Sequence, residues 1–224
     1  AQIIAGQKGA GLSWRETLPI IRDILEALEF AHRHGVVHRD LSPENILLDT
    51  TDQRWKVSDF GLGVVMIEQE LSVARSGGGH QTSTVVMGKL HYMAPEAQVP
   101  GAKPNPRMDL YSLGVIWAQL LTGRMDGGLS GFWHDELPPD FPSELLRALR
   151  ACLHPDAEKR WKTATELVQH LDRYESNTAP KPQAASQSSA TAVRPGMGSP
   201  AEEKTPRAVW LFIGACFLLL FLVP

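Results

Sequence analysis

Cysteine is almost missing from this 224-residue chain, which holds only Cys152 and Cys216. Cys152 lies in a mixed polar and apolar stretch and Cys216 in an apolar tail. Two such thiols cannot frame a disulfide scaffold, and a reducing compartment is expected. Aromatic residues make up 7%, and neither charge sign dominates: 22 Lys and Arg face 25 Asp and Glu, for a net charge of −3. That balance excludes a protein held by nucleic-acid phosphates, so no nucleic-acid partner is expected. The sequence also lacks a series of apolar runs, which excludes a many-span membrane protein. Its one such run lies at the C-terminal end, which excludes a secretory signal peptide. With 43% hydrophobic and 21% charged residues, a wholly disordered chain is excluded as well.

Composition divides the chain into three parts. Residues 1–175 mix apolar and charged residues with clear periodicity and are long enough for a sizeable core. Residues 176–207 are rich in Pro, Ser and Ala and hold no aromatic residue, which reads as a disordered linker. Residues 208–223, AVWLFIGACFLLLFLV, are uncharged, and Pro224 follows. As a helix this run would cover about 24 Å of the ~30 Å hydrocarbon core. It is expected to be a single transmembrane helix over 208–224 with the lipid bilayer as its partner. Lys204 and Arg207 on its N-terminal flank place that side in the cytoplasm.

Within the first part, Ser13 and Glu16 form a capping-box pattern, and Leu18, Ile21, Leu25 and Leu28 repeat at helical spacing. Pro19 is expected to bend this helix or leave one carbonyl unpaired, and Gly35 to end it. Short strands are expected at 36–38, 46–48 and 55–58, with a turn over Asp49–Gln53. From Asp109 onward the pattern is helical, over 109–123, 143–153 and 164–175. Few strands and many helices make an α+β domain, mainly α.

Four short motifs stand in order. His38-Arg39-Asp40-Leu41-Ser42-Pro43-Glu44-Asn45 is followed by Asp59-Phe60-Gly61, then Ala94-Pro95-Glu96, then Asp109 opening an apolar helix. Any triplet alone is weak; their order and distances together are specific. From about residue 12 to 174 the chain resembles the C-terminal lobe of a eukaryotic-type, bacterial serine/threonine protein kinase. The resemblance implies ATP and Mg2+ as cofactors and protein Ser or Thr as substrates. Asp40 would be the catalytic base, and Asn45 and Asp59 would hold the metal. Leu47 would floor the adenine. His38 and Phe60 would stack, Gly61 would let the backbone turn, Asp109 would hold the catalytic loop, and Arg160 would pair with Glu96. Arg39 would pair with a phosphate on the activation segment, where Thr82, Ser83 and Thr84 are the candidate phosphosites. Dimerisation for trans-autophosphorylation is expected. Trp14, Trp117 and Trp161 are expected in the core.

Two positions depart from the family pattern. Ser42 stands where most such kinases carry a phosphate-contacting lysine, and Lys89 stands where they carry threonine. The resemblance puts these positions face to face beside Asp40, so Lys89 and Ser42 are read as sharing the missing lysine's task. The chain also carries no G-x-G-x-x-G loop and no V-A-I-K lysine. A fragment of a longer membrane-anchored kinase is the expected explanation, and Ala1 in place of Met agrees. In that reading the chain alone is inactive. A split gene and a non-catalytic, membrane-tethered pseudokinase scaffold are the alternatives. A small-molecule phosphotransferase of the aminoglycoside or choline kinase type fits poorly, because those resemble H-G-D and lack A-P-E.

Overall fold

The computed structural model describes residues 11–60, 89–99, 101–124, 129, 131 and 133–178. Helix α1 spans Trp14–Arg33. The Ser13 hydroxyl accepts from the Glu16 N–H, and the Glu16 carboxylate accepts from the Ser13 N–H at 2.9 Å. Both directions of the capping box are thus made. Pro19 forfeits one intrahelical bond, yet the helix runs unbroken through it. The helix ends in a Schellman turn. The Val36 N–H reaches the Ala31 carbonyl at 2.9 Å, the Gly35 N–H reaches His32, and Gly35 takes φ +75°.

Strands β1 (Ile46–Asp49) and β2 (Arg54–Val57) form an antiparallel hairpin in which Ile46 pairs with Val57 and Asp49 with Arg54. No strand forms at 36–38, contrary to the sequence expectation. The His38 N–H is turned to a carboxylate rather than to a ladder, as described below.

Helix α2 (Pro106–Thr122) begins three residues before Asp109, capped by the Asn105 side chain with Pro106 in the first turn. Almost every residue of α2 is buried, so it is the axis of the core. Ile21, Ile24, Leu25 and Leu28 of α1 share one cluster with Leu110, Leu113, Ile116 and Trp117 of α2. Each such side chain, fully buried, contributes about 1.5–3 kcal/mol before ordering entropy is counted. Trp117 also donates to the Thr17 hydroxyl at 3.2 Å.

Helix α3 (Ser143–Cys152) crosses α2 at Gly114, where an added Cβ would lie 2.8 Å from that of Cys152. Burial pushes the Cys152 thiol up to about 12, against a smaller opposing pull from Arg160. Cys152 therefore packs as a small hydrophobe. Helix α4 (Ala164–Thr178) continues three residues past the expected boundary at 175. It is clipped to α1 by Arg22, which meets Asp172 at 2.7 Å and Glu175 at 3.0 Å. Trp117 is fully buried as expected, whereas Trp14, edge-on to Tyr174, and Trp161, which donates to the Ala148 carbonyl, are partly buried and pack against the core. At the start of the described chain the Leu12 N–H bonds the Leu120 carbonyl at 2.7 Å. A Cβ on Gly11 would fall 1.8 Å from the Leu121 carbonyl oxygen.

No helix among the described residues is long and apolar enough to cross a membrane. The apolar run at 208–223 lies outside them.

Candidate active site

The loop 38–45 leaves α1 and enters β1, and one carboxylate shapes it. Asp109, in the first turn of α2, is fully buried. Its Oδ2 accepts from the His38 N–H at 2.8 Å and its Oδ1 from the Arg39 N–H at 2.9 Å. His32 of α1 adds a third contact, Nε2 to Oδ2 at 2.8 Å. Among the described residues the buried His32 Nδ1 has no partner, which assigns the proton to Nε2, since an orphaned N–H costs more than an orphaned lone pair. Three N–H donors on one carboxylate offset its burial.

They also hold a strained backbone. Arg39 takes φ +65°, a left-handed conformation that costs a side-chain-bearing residue roughly 1–3 kcal/mol. Asp59, at the other motif, takes φ +59°. The two strained residues are joined through His38. Its Nδ1 accepts from the Asp40 N–H at 3.2 Å, so its Nε2 carries the proton and donates to the Ser58 carbonyl at 2.8 Å. The imidazole ring lies on Phe60 with centroids 4.7 Å apart. The two rings are tilted to each other by 54°.

The hairpin brings Asn45 beside Ser58. The Ser58 N–H donates to the Asn45 carbonyl at 2.9 Å, which continues the β1–β2 ladder by one pair. Asn45 Nδ2 donates to the Asp40 carbonyl at 2.7 Å. That bond occupies the amide nitrogen and leaves Oδ1 as an oxygen donor. The Asp59 carboxylate is exposed at the same end of the hairpin, and its Oδ2 accepts from the Ser58 hydroxyl at 3.2 Å. One amide oxygen and one carboxylate oxygen suit a hard cation such as Mg2+. Among the described residues no three His, Cys, Asp or Glu gather to hold an ion alone.

Asp40 itself is mostly buried, and the Lys89 ammonium lies 2.5 Å from its Oδ2. Ser42 is 1% exposed, and its hydroxyl has no partner among the described residues. Leu47 on β1 is 46% exposed, a large apolar side chain open to a ligand. On the far side, Arg160 grips Glu96 with two bonds of 2.6 and 2.8 Å. It also donates to the carbonyls of His154, Pro155 and Arg107 and lies over the Tyr111 ring. Burial pushes the Glu96 carboxyl up, but the Arg160 fork outweighs it and the net shift is downward.

Of the expected site residues, His38, Arg39, Asp40, Ser42, Asn45, Asp59, Phe60 and Lys89 form one connected region. Glu96 with Arg160, and Asp109, brace it. Gly61 and Thr82, Ser83 and Thr84 lie outside the described residues. Sequence reading missed two contributors. His32 stands four residues after Leu28 on the buried face of α1, where a histidine needs a buried partner. Ser58 acts through its backbone N–H and carbonyl and through its hydroxyl, and a lone serine beside Asp59 carries no motif.

The description "Protein kinase domain" matches residues 2–171. The serine/threonine-protein kinase pkn2 of Myxococcus xanthus is 32% identical over 207 residues, 84% of this chain and 22% of that protein. The serine/threonine-protein kinase PknB of Mycolicibacterium smegmatis is 31% identical over 179 residues, 74% of this chain and 27% of that protein. The chain thus spans about a quarter of the length of these curated relatives. The crystal structure of the Mycobacterium tuberculosis PknI kinase domain superposes with a TM-score of 0.55 at 26% identity, covering 77% of this chain and 60% of that one. With the Asp40–Asn45–Asp59 hairpin end and its Asp109 and Arg160 braces in place, the chain belongs to the protein kinase family.

Proposed function

We propose that the chain is the acceptor-side half of a membrane-anchored protein serine/threonine kinase that transfers the γ-phosphoryl group of ATP to protein hydroxyls. The observation that carries this reading is the fixed junction of Asp40, Asn45 and Asp59 through His38 and Ser58. Phosphoryl transfer asks little covalent chemistry of a protein and much positioning. Asp40 orients the acceptor hydroxyl and takes its proton. Asn45 Oδ1 and the Asp59 carboxylate hold Mg2+, which when bound neutralises phosphate charge. Leu47 lies under the adenine. Pro43-Glu44-Asn45 supports serine or threonine over tyrosine as acceptor.

Residues 208–224 anchor the protein, with the kinase portion on the cytoplasmic side. Thr82, Ser83 or Thr84, once phosphorylated, pairs with Arg39, and two copies dimerise to phosphorylate one another. A second reading, a tethered pseudokinase scaffold, is favoured by the sequence holding neither G-x-G-x-x-G nor V-A-I-K. The test is transfer from labelled ATP by the full-length gene product and by this chain alone. The full-length protein is expected to phosphorylate a protein substrate, and Asp40→Asn to slow it about 100- to 10,000-fold. This chain alone is expected to transfer nothing detectable. Full-length protein that neither binds nor spends ATP leaves the scaffold reading standing.

A further inference from the structure

Asp40 and a phosphoryl group in transfer would bring two negative groups together in a partly buried place, beside the exposed Asp59 that would hold Mg2+. Charge of that kind is tolerated only with a cation in contact, and such a contact is worth far more there than in water. The residue two places after Asp40 cannot supply it. Ser42 is uncharged, 1% exposed, and has an unpartnered hydroxyl among the described residues.

The cation comes from a segment 49 residues further on. Lys89 Nζ sits 2.5 Å from Asp40 Oδ2. Its backbone is not loose. Lys89 opens a short helical turn in which the Tyr92 N–H bonds the Lys89 carbonyl at 3.1 Å and the Met93 N–H bonds that of Leu90 at 3.2 Å. The Ser112 hydroxyl of α2 ties this turn down through the Tyr92 carbonyl at 2.7 Å, and Glu96 ties the segment after it to Arg160. The lysine side chain remains 33% exposed. An ammonium has three donors, so it can keep Asp40 and still take a second anionic partner.

We propose that Lys89 is the cation that contacts the transferring phosphoryl group, and that Ser42 is small and neutral because the charge stands on Lys89 instead. The assignment rests on the kinase reading above. In the step, the acceptor oxygen forms a bond to the γ-phosphorus while the bond to the bridging oxygen breaks. The bonding pair leaves on ADP, and the hydroxyl proton passes to Asp40. Lys89 makes and breaks no covalent bond; it compensates charge at both ends of its contact. The rival is a lock, in which Lys89 occupies Asp40 at rest and must leave before reaction.

The experiment uses the full-length gene product with Lys89→Met, Lys89→Arg, Lys89→Thr and the double variant Ser42→Lys with Lys89→Thr, beside Asp40→Asn. Lys89→Met is expected to lower kcat about 100-fold or more and to leave the KM for ATP within about threefold, the mark of an interaction made in the transition state. Lys89→Arg is expected to retain more activity than Lys89→Met. Moving the charge back, in the double variant, is expected to restore at least about a tenth of the wild-type rate, where Lys89→Thr alone does not. Binding gives a second readout. ADP with aluminium fluoride and a substrate peptide is expected to bind Lys89→Met about 100-fold more weakly, while ADP alone binds as to wild type. Melting temperatures control for folding. A Lys89→Met rate within about twofold of wild type, or above it, overturns the assignment, the latter in favour of the lock. A wild-type protein that transfers no phosphate overturns the kinase reading and this assignment with it.

Discussion

Asp109 and Arg160 each brace one side of the same site, with opposite chemistry. Asp109 is an acidic side chain accepting from two backbone N–H groups and the His32 imidazole. Arg160 is a cation holding another side chain, Glu96, and three carbonyls. The first clamp reads the course of the chain and is indifferent to the side chains at 38 and 39. The second reads one particular carboxylate, with the carbonyls as reserve. Loss of Asp109 therefore orphans donors that have no other partner, whereas loss of Glu96 leaves Arg160 still bound on three sides.

The largest effect should follow from removing the backbone clamp. Asp109→Ala leaves the His38 and Arg39 N–H groups buried and unpaired, at about 1–3 kcal/mol each. It also frees Arg39 from its left-handed conformation. Urea unfolding should show a loss of about 3–5 kcal/mol, and transfer should vanish with it. A loss under about 1 kcal/mol would mean that water replaces the carboxylate and that the two clamps are alike.

Breaking the side-chain clamp should do less. Glu96→Gln is expected to cost about 1–3 kcal/mol at neutral pH. The Glu96 carboxyl titrates below its ordinary 4.5, so the folded state binds its proton less readily than the unfolded chain. The stability this supplies is present above that ordinary value and is lost as pH falls through the folded one. Wild type and Glu96→Gln should therefore converge in urea midpoint as pH is lowered from about 5 toward 3. Parallel curves would show that the pair contributes by shape and not by charge.

The smallest effect belongs to the hairpin surface. Lys56 pairs there with Asp49 and Asp52, and its hydrogen bond lowers the partly exposed Asp49 carboxyl to about 2. Exposed pairs of this sort are screened by salt. Lys56→Ala should leave the melting temperature unchanged at physiological ionic strength. A clear drop would place the hairpin among the braces of the site.

What the sequence disclosed follows the reach of each interaction. The capping box at Ser13 and the glycine stop at Gly35 are local devices, and both stand where the sequence puts them. The ordered motifs disclosed the family because that order is itself the signature. The strand expected at Val36–His38 failed because two valines mark a strand only where a partner offers a ladder, and here the donor at 38 goes to Asp109. The start of α2 was placed three residues late, at Asp109, because the Asn105 cap and the first-turn Pro106 went unread. His32 on Asp109 and the carbonyls around Arg160 were not legible, since nothing in the spacing fixes a contact 77 or 53 residues away.

Helix α2 links two of these facts. Near its end, Leu120 receives the Leu12 N–H and Leu121 leaves no room for a side chain at Gly11. In its first turn Asp109 carries the catalytic loop. From Asp109 to Leu120 the helix rises by 11 residues, about 16 Å. Mechanically the helix is a strut. Tension applied to the chain at Gly11 meets a shaft that cannot stretch without breaking its own ladder, and the load arrives at the Asp109 end. A tug at Gly11 would therefore reach the site as displacement of its foundation, with little slack to absorb it along the way.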